Sequence, residues 1–205
     1  MSAPLWQLNG VTLPGNERPR LNDVTCAIPE GTTAVVGYSG AGKTSLLNLL
    51  VGFERPRQGR VVRGFTAPDN RLPLYWAPQE DGLWPHETVL EHLLIMRGGD
   101  DARARAENLL ADFDLLDKSA ATPDQMSQGE RARLSVARAL AGRPAVLVLD
   151  EPLVHVDPAR AGKYWRAVRH HVNESDISLV MATHSPETVL READHALCLR
   201  EGKLL

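Results

Sequence analysis

The chain has 205 residues, 43% of them apolar and 24% charged, which allows one substantial buried core and is neither disordered nor fibrous in composition. Its 23 basic and 26 acidic side chains leave a net charge of −3, so no whole-chain positive field points to nucleic acid as a partner. No apolar run approaches the ~18 residues of a membrane span, and the opening MSAPLWQLNG lacks a basic stretch followed by an apolar one. A cytoplasmic protein is expected, with any membrane association made through a partner. Cys26 and Cys198 stand far apart, without the clustered spacing of a metal site or a disulfide scaffold.

In chain order, residues 5–11, 21–28 and 59–63 read as hairpin or antiparallel strands, with turn material at Pro14-Gly15-Asn16 and Pro56-Arg57-Gln58-Gly59. Residues 33–37, 72–77, 145–149 and 177–182 read as short strands, several too continuously apolar for one face to meet water. Helical stretches lie between them at 43–50 and 158–172, and Ser185-Pro186-Glu187 suits a helix start. Strands alternating with helices predict a largely parallel α/β core that binds ligands at the carboxyl ends of its strands. Between Pro85 and Pro123 the strand signal disappears. Residues 88–96 and 101–116 carry helical apolar spacing around the break Arg97-Gly98-Gly99-Asp100. This segment reads either as a helical lobe, residues 85–123, inserted into a core of residues 1–84 and 124–205, or as a few surface helices lying on that core. Residues 191–205 read as a short tail beyond the last core strand.

The strongest local signal is Gly37-Tyr38-Ser39-Gly40-Ala41-Gly42-Lys43-Thr44, which satisfies G-x-x-x-x-G-K-[ST] between an expected strand and an expected helix. Glycines let successive N–H groups point inward, and the helix start adds its positive end to the same anion site. Lys43, one of four lysines, should reach the β- and γ-phosphates, and the Thr44 hydroxyl should coordinate Mg²⁺. Downstream, Val146-Leu147-Val148-Leu149 ends in Asp150-Glu151. Consecutive residues leaving a strand face different ways, so Asp150 can hold Mg²⁺ while Glu151 polarises the attacking water. No N-K-x-D sequence occurs, which argues against a Ras-like GTPase.

With these residues in place, the chain resembles the nucleotide-binding subunit of an ATP-binding cassette (ABC) transporter over essentially its whole length. Met126-Ser127-Gln128-Gly129-Glu130 resembles the family signature L-S-G-G-Q and stands before Asp150-Glu151, as in the family. Gln79, Asp157 and His184 follow the family order. The resemblance implies an α/β fold, a P-loop NTPase core of ABC ATPase type with an N-terminal antiparallel β element and an inserted helical lobe. It implies an ATPase that works as a head-to-tail homodimer, or with a paralogous cassette, sandwiching two ATP molecules. The phosphate loop, with Ser45 after Thr44, would work with Ser127, Gln128, Gly129 and Glu130 of the facing subunit. In that scheme Glu151 is the general base, His184 holds the attacking water at the γ-phosphate, Gln79 touches Mg²⁺ or its water, and Asp157 couples the two sites. The cofactors are ATP and Mg²⁺. Ser127 and Glu130 also have capping-box spacing, so the signature makes physical sense as a helix start.

The segment Asp81-Gly82-Leu83-Trp84-Pro85-His86-Glu87-Thr88-Val89-Leu90-Glu91-His92 is similar to the L-F-P-H-x-T-V-x-E-N stretch of cassettes that serve separately encoded membrane subunits. The resemblance makes the region around Trp84 a docking surface for integral membrane permease subunits, placing the protein peripherally on the cytoplasmic face of the membrane; the bland reading folds Trp84 into its own lobe. A regulatory or complex-remodelling cassette outside transport is the alternative function. Three departures from the family stand out. Gln128 replaces a glycine, and Glu130 puts a carboxylate near a triphosphate site unless it turns away or meets an arginine such as Arg131 or Arg133. Leu13-Pro14-Gly15-Asn16 lacks the aromatic residue that usually stacks on adenine, and Trp6 stands too early. Lys118 stands in the expected helical lobe, and its replacement by alanine is expected to leave basal turnover nearly unchanged.

Overall fold

Alternating apolar residues at the start of the chain form β1 (Trp6–Leu13), which runs antiparallel to both β2 (Leu21–Ile28) and β4 (Gln58–Arg63) in the order β2-β1-β4. Trp6 and Leu8 are buried, then Val11 and Leu13. That change of phase coincides with irregular register between Leu8 and Val11 and with Gly10 at a φ of 60°, a bulge that keeps one face apolar. The Trp6 indole is buried and donates to the Leu50 carbonyl at 3.0 Å. In this computed structural model the described residues are 3–66, 71–80, 82–96, 99 and 101–205.

The chain divides into two compact units, Met1–Pro68 with Ser178–Leu205, and Asp69–Ile177. The first holds the antiparallel sheet and a second set of strands. There β3 (Thr32–Val36) lies parallel to β7 (Ser178–Thr183) on one side and to β8 (His195–Arg200) on the other, and β9 (Lys203–Leu204) runs antiparallel to β8. Ala34, Val35, Val180, Met181 and Ala182 are fully buried, as continuous apolar runs in a parallel arrangement require. Helices α1 (Lys43–Val51) and α6 (Pro186–Glu192) complete this unit. The expected tail 191–205 is therefore structured. Its strand β8 is mostly exposed, with only Leu199 buried, and its weak apolar signal explains the miss.

In the second unit β5 (Leu74–Ala77) pairs in parallel with the fully buried β6 (Val146–Asp150). Its helices are α2 (Val89–Leu94), α3 (Ala102–Asp112), α4 (Gln128–Ala141) and α5 (Pro158–Glu174), with single 3₁₀ turns at Leu116–Lys118 and Pro123–Gln125. Helix α5 buries Tyr164, Trp165, Val168 and Val172, one apolar stripe at helical spacing. Asp114, at a φ of 52° just after α3, ties α3 to α5: its carboxylate accepts from Arg160 at 3.0 Å, Lys163 at 2.5 Å and the Tyr164 hydroxyl at 2.9 Å. Of the expected break, Arg97, Gly98 and Asp100 lie outside the described residues.

Candidate functional site

Residues 37–44 leave β3 and turn into α1. A Cβ at Gly37 would lie 2.4 Å from the Leu199 carbonyl oxygen, so the backbone fits there only without a side chain. Gly42 is the N-cap of α1 with a φ of 105°, no side chain caps the helix, and its first turn carries no acidic residue. The positive end of the helix and its leading N–H groups therefore form an anion site. Lys43 is only 9% exposed. Its ammonium donates to the carbonyls of Gly37 at 2.9 Å and Tyr38 at 3.5 Å, folded onto its own loop.

Tyr38, Ser39, Gly40 and Thr44 are exposed, while Ala41 is buried. Ser45 accepts from Arg20 Nη1 at 3.5 Å. Arg20 is itself held through Nε to the Pro14 carbonyl at 2.9 Å and by a two-point bond to Glu54, which pulls the Glu54 carboxyl below its ordinary range. This clamp fixes the flank of α1 and was not legible in the sequence, because its parts come from three separate segments. In the same unit, His184 is exposed at the bend after β7, and Ser185 caps α6 by accepting from the Thr188 N–H at 3.2 Å.

The second unit carries the acidic pair. Asp150 ends β6 and is 1% exposed, whereas Glu151 is half-buried and takes a φ of 48°. That left-handed backbone costs an ordinary residue on the order of 1 kcal/mol, and it parts the environments of the two carboxylates. Gln79, Asp150, Glu151 and His155 all border one cavity of about 20 Å³, room for about one water molecule. Asp157 accepts from the Ala159 N–H at 2.8 Å and so caps α5, with Pro158 in the first turn.

The signature residues start α4. Ser127 is its N-cap and forms a full capping box: Ser127 Oγ accepts from the Glu130 N–H at 3.3 Å, and Glu130 Oε2 accepts from the Ser127 N–H at 2.8 Å. The Ser127 hydroxyl also donates to Glu130 Oε2 at 2.9 Å. A Cβ on Gly129 would lie 2.9 Å from the His155 carbonyl oxygen, so this glycine lets the 151–157 loop approach the start of α4. Gln79, Gln128, Arg131 and His155 line an open hollow beside it.

The partner of Glu130 is Lys118, at 2.7 Å, and neither of the arginines expected. Arg133 is turned into the protein, where it donates to the carbonyls of Gly129 at 3.3 Å, Asp114 at 3.0 Å and Phe113. Hydrogen bonding from Lys118, against the opposing effect of burial and helped by Ser127, lowers the Glu130 carboxyl to about 2. Lys118 is thus in contact with a residue of the expected signature. The two residues lie on different elements with no local spacing to link them.

Trp84 is 40% exposed. It stacks on His92 with ring centroids 5.3 Å apart and lies 4.9 Å from the Arg138 guanidinium. His92 is fully buried, its Nδ1 2.8 Å from the Thr88 carbonyl and its Nε2 accepting from the Trp84 N–H at 2.9 Å. A carbonyl only accepts and an amide only donates, so the ring is neutral with its proton on Nδ1. Burial pushes its pKa down, opposed by the bond to Thr88. Asp81 lies outside the described residues.

A glycine-capped helix start with its lysine folded onto the preceding loop defines the class, a P-loop protein. The sequence profile of the ABC transporter family matches residues 21–154, and the chain belongs to that family. It is 37% identical over 197 residues to the molybdenum import ATP-binding protein ModC of Methylococcus capsulatus, a match covering 89% of this chain and 54% of that protein. It is 35% identical over 196 residues to the Fe(3+) ions import ATP-binding protein FbpC of Yersinia pestis bv. Antiqua, covering 90% of this chain and 56% of that one. The chain thus spans about half the length of the curated relatives it matches. Among solved structures, the dimeric ABC transporter cassette MJ0796 superposes with a TM-score of 0.80 at 26% identity, covering 97% of this chain and 96% of that one. The expected fold class, an α/β ABC ATPase cassette with an N-terminal antiparallel sheet, is the one found.

Proposed function

We propose that this chain is an ATP-hydrolysing cassette that powers a separately encoded membrane transporter, working as a head-to-tail dimer with two ATP molecules at the interface. The observation that carries the reading is the start of α1, glycine-capped and free of acidic residues in its first turn, a place made for a polyanion. Residues 37–45 would bind the phosphates, with Lys43 leaving its two loop carbonyls to meet the transferred group. Ser127, Gln128, Gly129 and Glu130, with Asp157, would serve the ATP held by the facing cassette. Glu151 would take the proton of the attacking water, with Gln79 beside the same small cavity, and His184 would orient that water. Thr44, Gln79 and Asp150 would each offer an oxygen donor of the kind Mg²⁺ takes. Bound there, the ion would neutralise phosphate charge.

Residues 85–123 would form the inserted helical lobe, and Trp84, immediately before it, would meet membrane permease subunits, keeping the chain at the cytoplasmic face of the membrane. Among the described residues no helix is long and apolar enough to cross a membrane. Two relatives are named import ATP-binding proteins, which favours import. The test is Glu151→Gln with Mg-ATP. Turnover should fall at least ~100-fold, the range seen when a transition-state group is removed, while light scattering shows the mass doubling. A variant that turns over like the parent, or stays monomeric with ATP, counts against the reading.

A further inference from the structure

The signature turn holds a carboxylate where, in the reading above, a triphosphate has to dock. Glu130 accepts from both the N–H and the hydroxyl of Ser127 through Oε2, at 2.8 and 2.9 Å, so it occupies the positive start of α4 as a capping anion. Left alone it would repel an approaching γ-phosphate. Its other oxygen, Oε1, is held at 2.7 Å by Lys118 from the 3₁₀ turn Leu116–Lys118. The Glu130 side chain is 17% exposed and that of Lys118 35%, so the pair is partly shielded and not a loose surface contact. Arg133, one turn further along α4, is committed to the carbonyls of Phe113, Asp114 and Gly129 and is not available for the task.

We infer that Lys118 is the positioning residue of the signature turn: it neutralises and orients Glu130, so that the facing cassette's polyphosphate meets helix-start N–H groups and the Ser127 hydroxyl without a net negative charge beside them. This rests on the proposed dimer. A carboxylate is tolerated at this position because a cation comes with it, and an ammonium has three donors, of which one faces Glu130. When the phosphate arrives, Ser127 exchanges its bond to Glu130 for one to the ligand, and Lys118 keeps Glu130 from following.

The test uses the full chain in the Glu151→Gln background and reads the Mg-ATP concentration at half-maximal dimer formation by light scattering. Lys118→Ala should raise it about tenfold, Lys118→Arg should stay near the parent, and adding Glu130→Gln to Lys118→Ala should restore most of the loss. A purely structural role would show the same loss and the same rescue in thermal unfolding. Circular dichroism and thermal unfolding of each variant show whether any loss is simply misfolding, and a neutral double variant that folds like the parent keeps the comparison valid if Lys118→Ala alone does not. Lys118→Ala matching the parent, or a double variant no better than Lys118→Ala, overturns the role of Lys118 alone. A parent that stays monomeric at saturating Mg-ATP overturns the dimer beneath it and this role with it.

Discussion

Helices α1 and α4 begin with the same physical device, a row of N–H groups and a positive dipole end, and treat it in opposite ways. At α1 the N-cap is Gly42, no side chain caps it, and the lysine beside it is parked on two loop carbonyls. At α4 the start is closed by its own capping box and the capping carboxylate is neutralised by Lys118. The first start is incomplete without an anion. The second is complete by itself and offers a neutral, preformed surface. In the proposed dimer, one chain would use two helix starts without both competing for the same free anion: α1 would bind its own, and α4 would wait for a site brought by another subunit.

The contrast can be broken most severely at Lys43. Lys43→Ala should cut ATP turnover by about 100-fold or more, with folding intact by circular dichroism; steady-state hydrolysis within tenfold of the parent would mean that the start of α1 is not the phosphate site. Next come the two glycines. Gly42→Ala combines a φ of 105° with a Cβ placed 2.6 Å from the Arg20 carbonyl oxygen, whereas Gly129→Ala meets the His155 carbonyl at 2.9 Å without a positive φ. Urea unfolding should show a loss of about 2–3 kcal/mol at Gly42 and about 1–2 kcal/mol at Gly129. The reverse order would contradict the backbone argument.

A smaller effect sharpens the comparison within one unit. Thr88 starts α2 with the same capping box that Ser127 builds at α4. Ser127→Ala and Thr88→Ala should each cost about 1 kcal/mol of stability, yet only Ser127→Ala should weaken ATP-dependent dimer formation. Equal effects on assembly would reduce the signature to a cap.

The pH dependence of the α4 start tests the capping carboxylate itself. The Glu130 carboxyl stands at about 2 in the folded chain against an ordinary 4.5. A depressed folded value means that the stabilisation is fully present above about pH 4.5 and is lost as pH falls towards 2. Parent unfolding free energy should therefore drop more across that window than that of Glu130→Gln, and parallel profiles would remove Glu130 as the cause.

These two helix starts also show what a sequence discloses. The phosphate loop was legible because its glycines, lysine and threonine are contiguous and their chemistry is fixed by backbone geometry. The Ser127–Glu130 box was legible for the same reason, three residues apart on one helix start. Lys118 was not, because its meeting with Glu130 depends on where the turn Leu116–Lys118 comes to rest after α3. Strand β8 was missed on other grounds. It pairs through its backbone with β3, and backbone pairing leaves little trace in a segment whose side chains are mostly exposed. His92 shows an intermediate case: its place in the segment was readable, but its fixed tautomer follows from the carbonyl and the amide it lies between.

The close approach of Leu199 to Gly37 bears on how the chain is made. The Gly202 N–H donates to the Ala41 carbonyl at 2.9 Å, and the Asn22 N–H donates to the Gly202 carbonyl at 2.8 Å, so the phosphate loop is braced by residues that the ribosome adds about 160 positions after it. At a synthesis rate of roughly 5–20 residues per second, the loop waits on the order of ten seconds or more between its own emergence and the arrival of its brace. Throughout that interval the nascent chain carries this loop without its brace. Ribosome-arrested chains ending near residue 190 should fail to retain ATP, while chains extended past residue 205 by a linker that clears the exit tunnel should hold it.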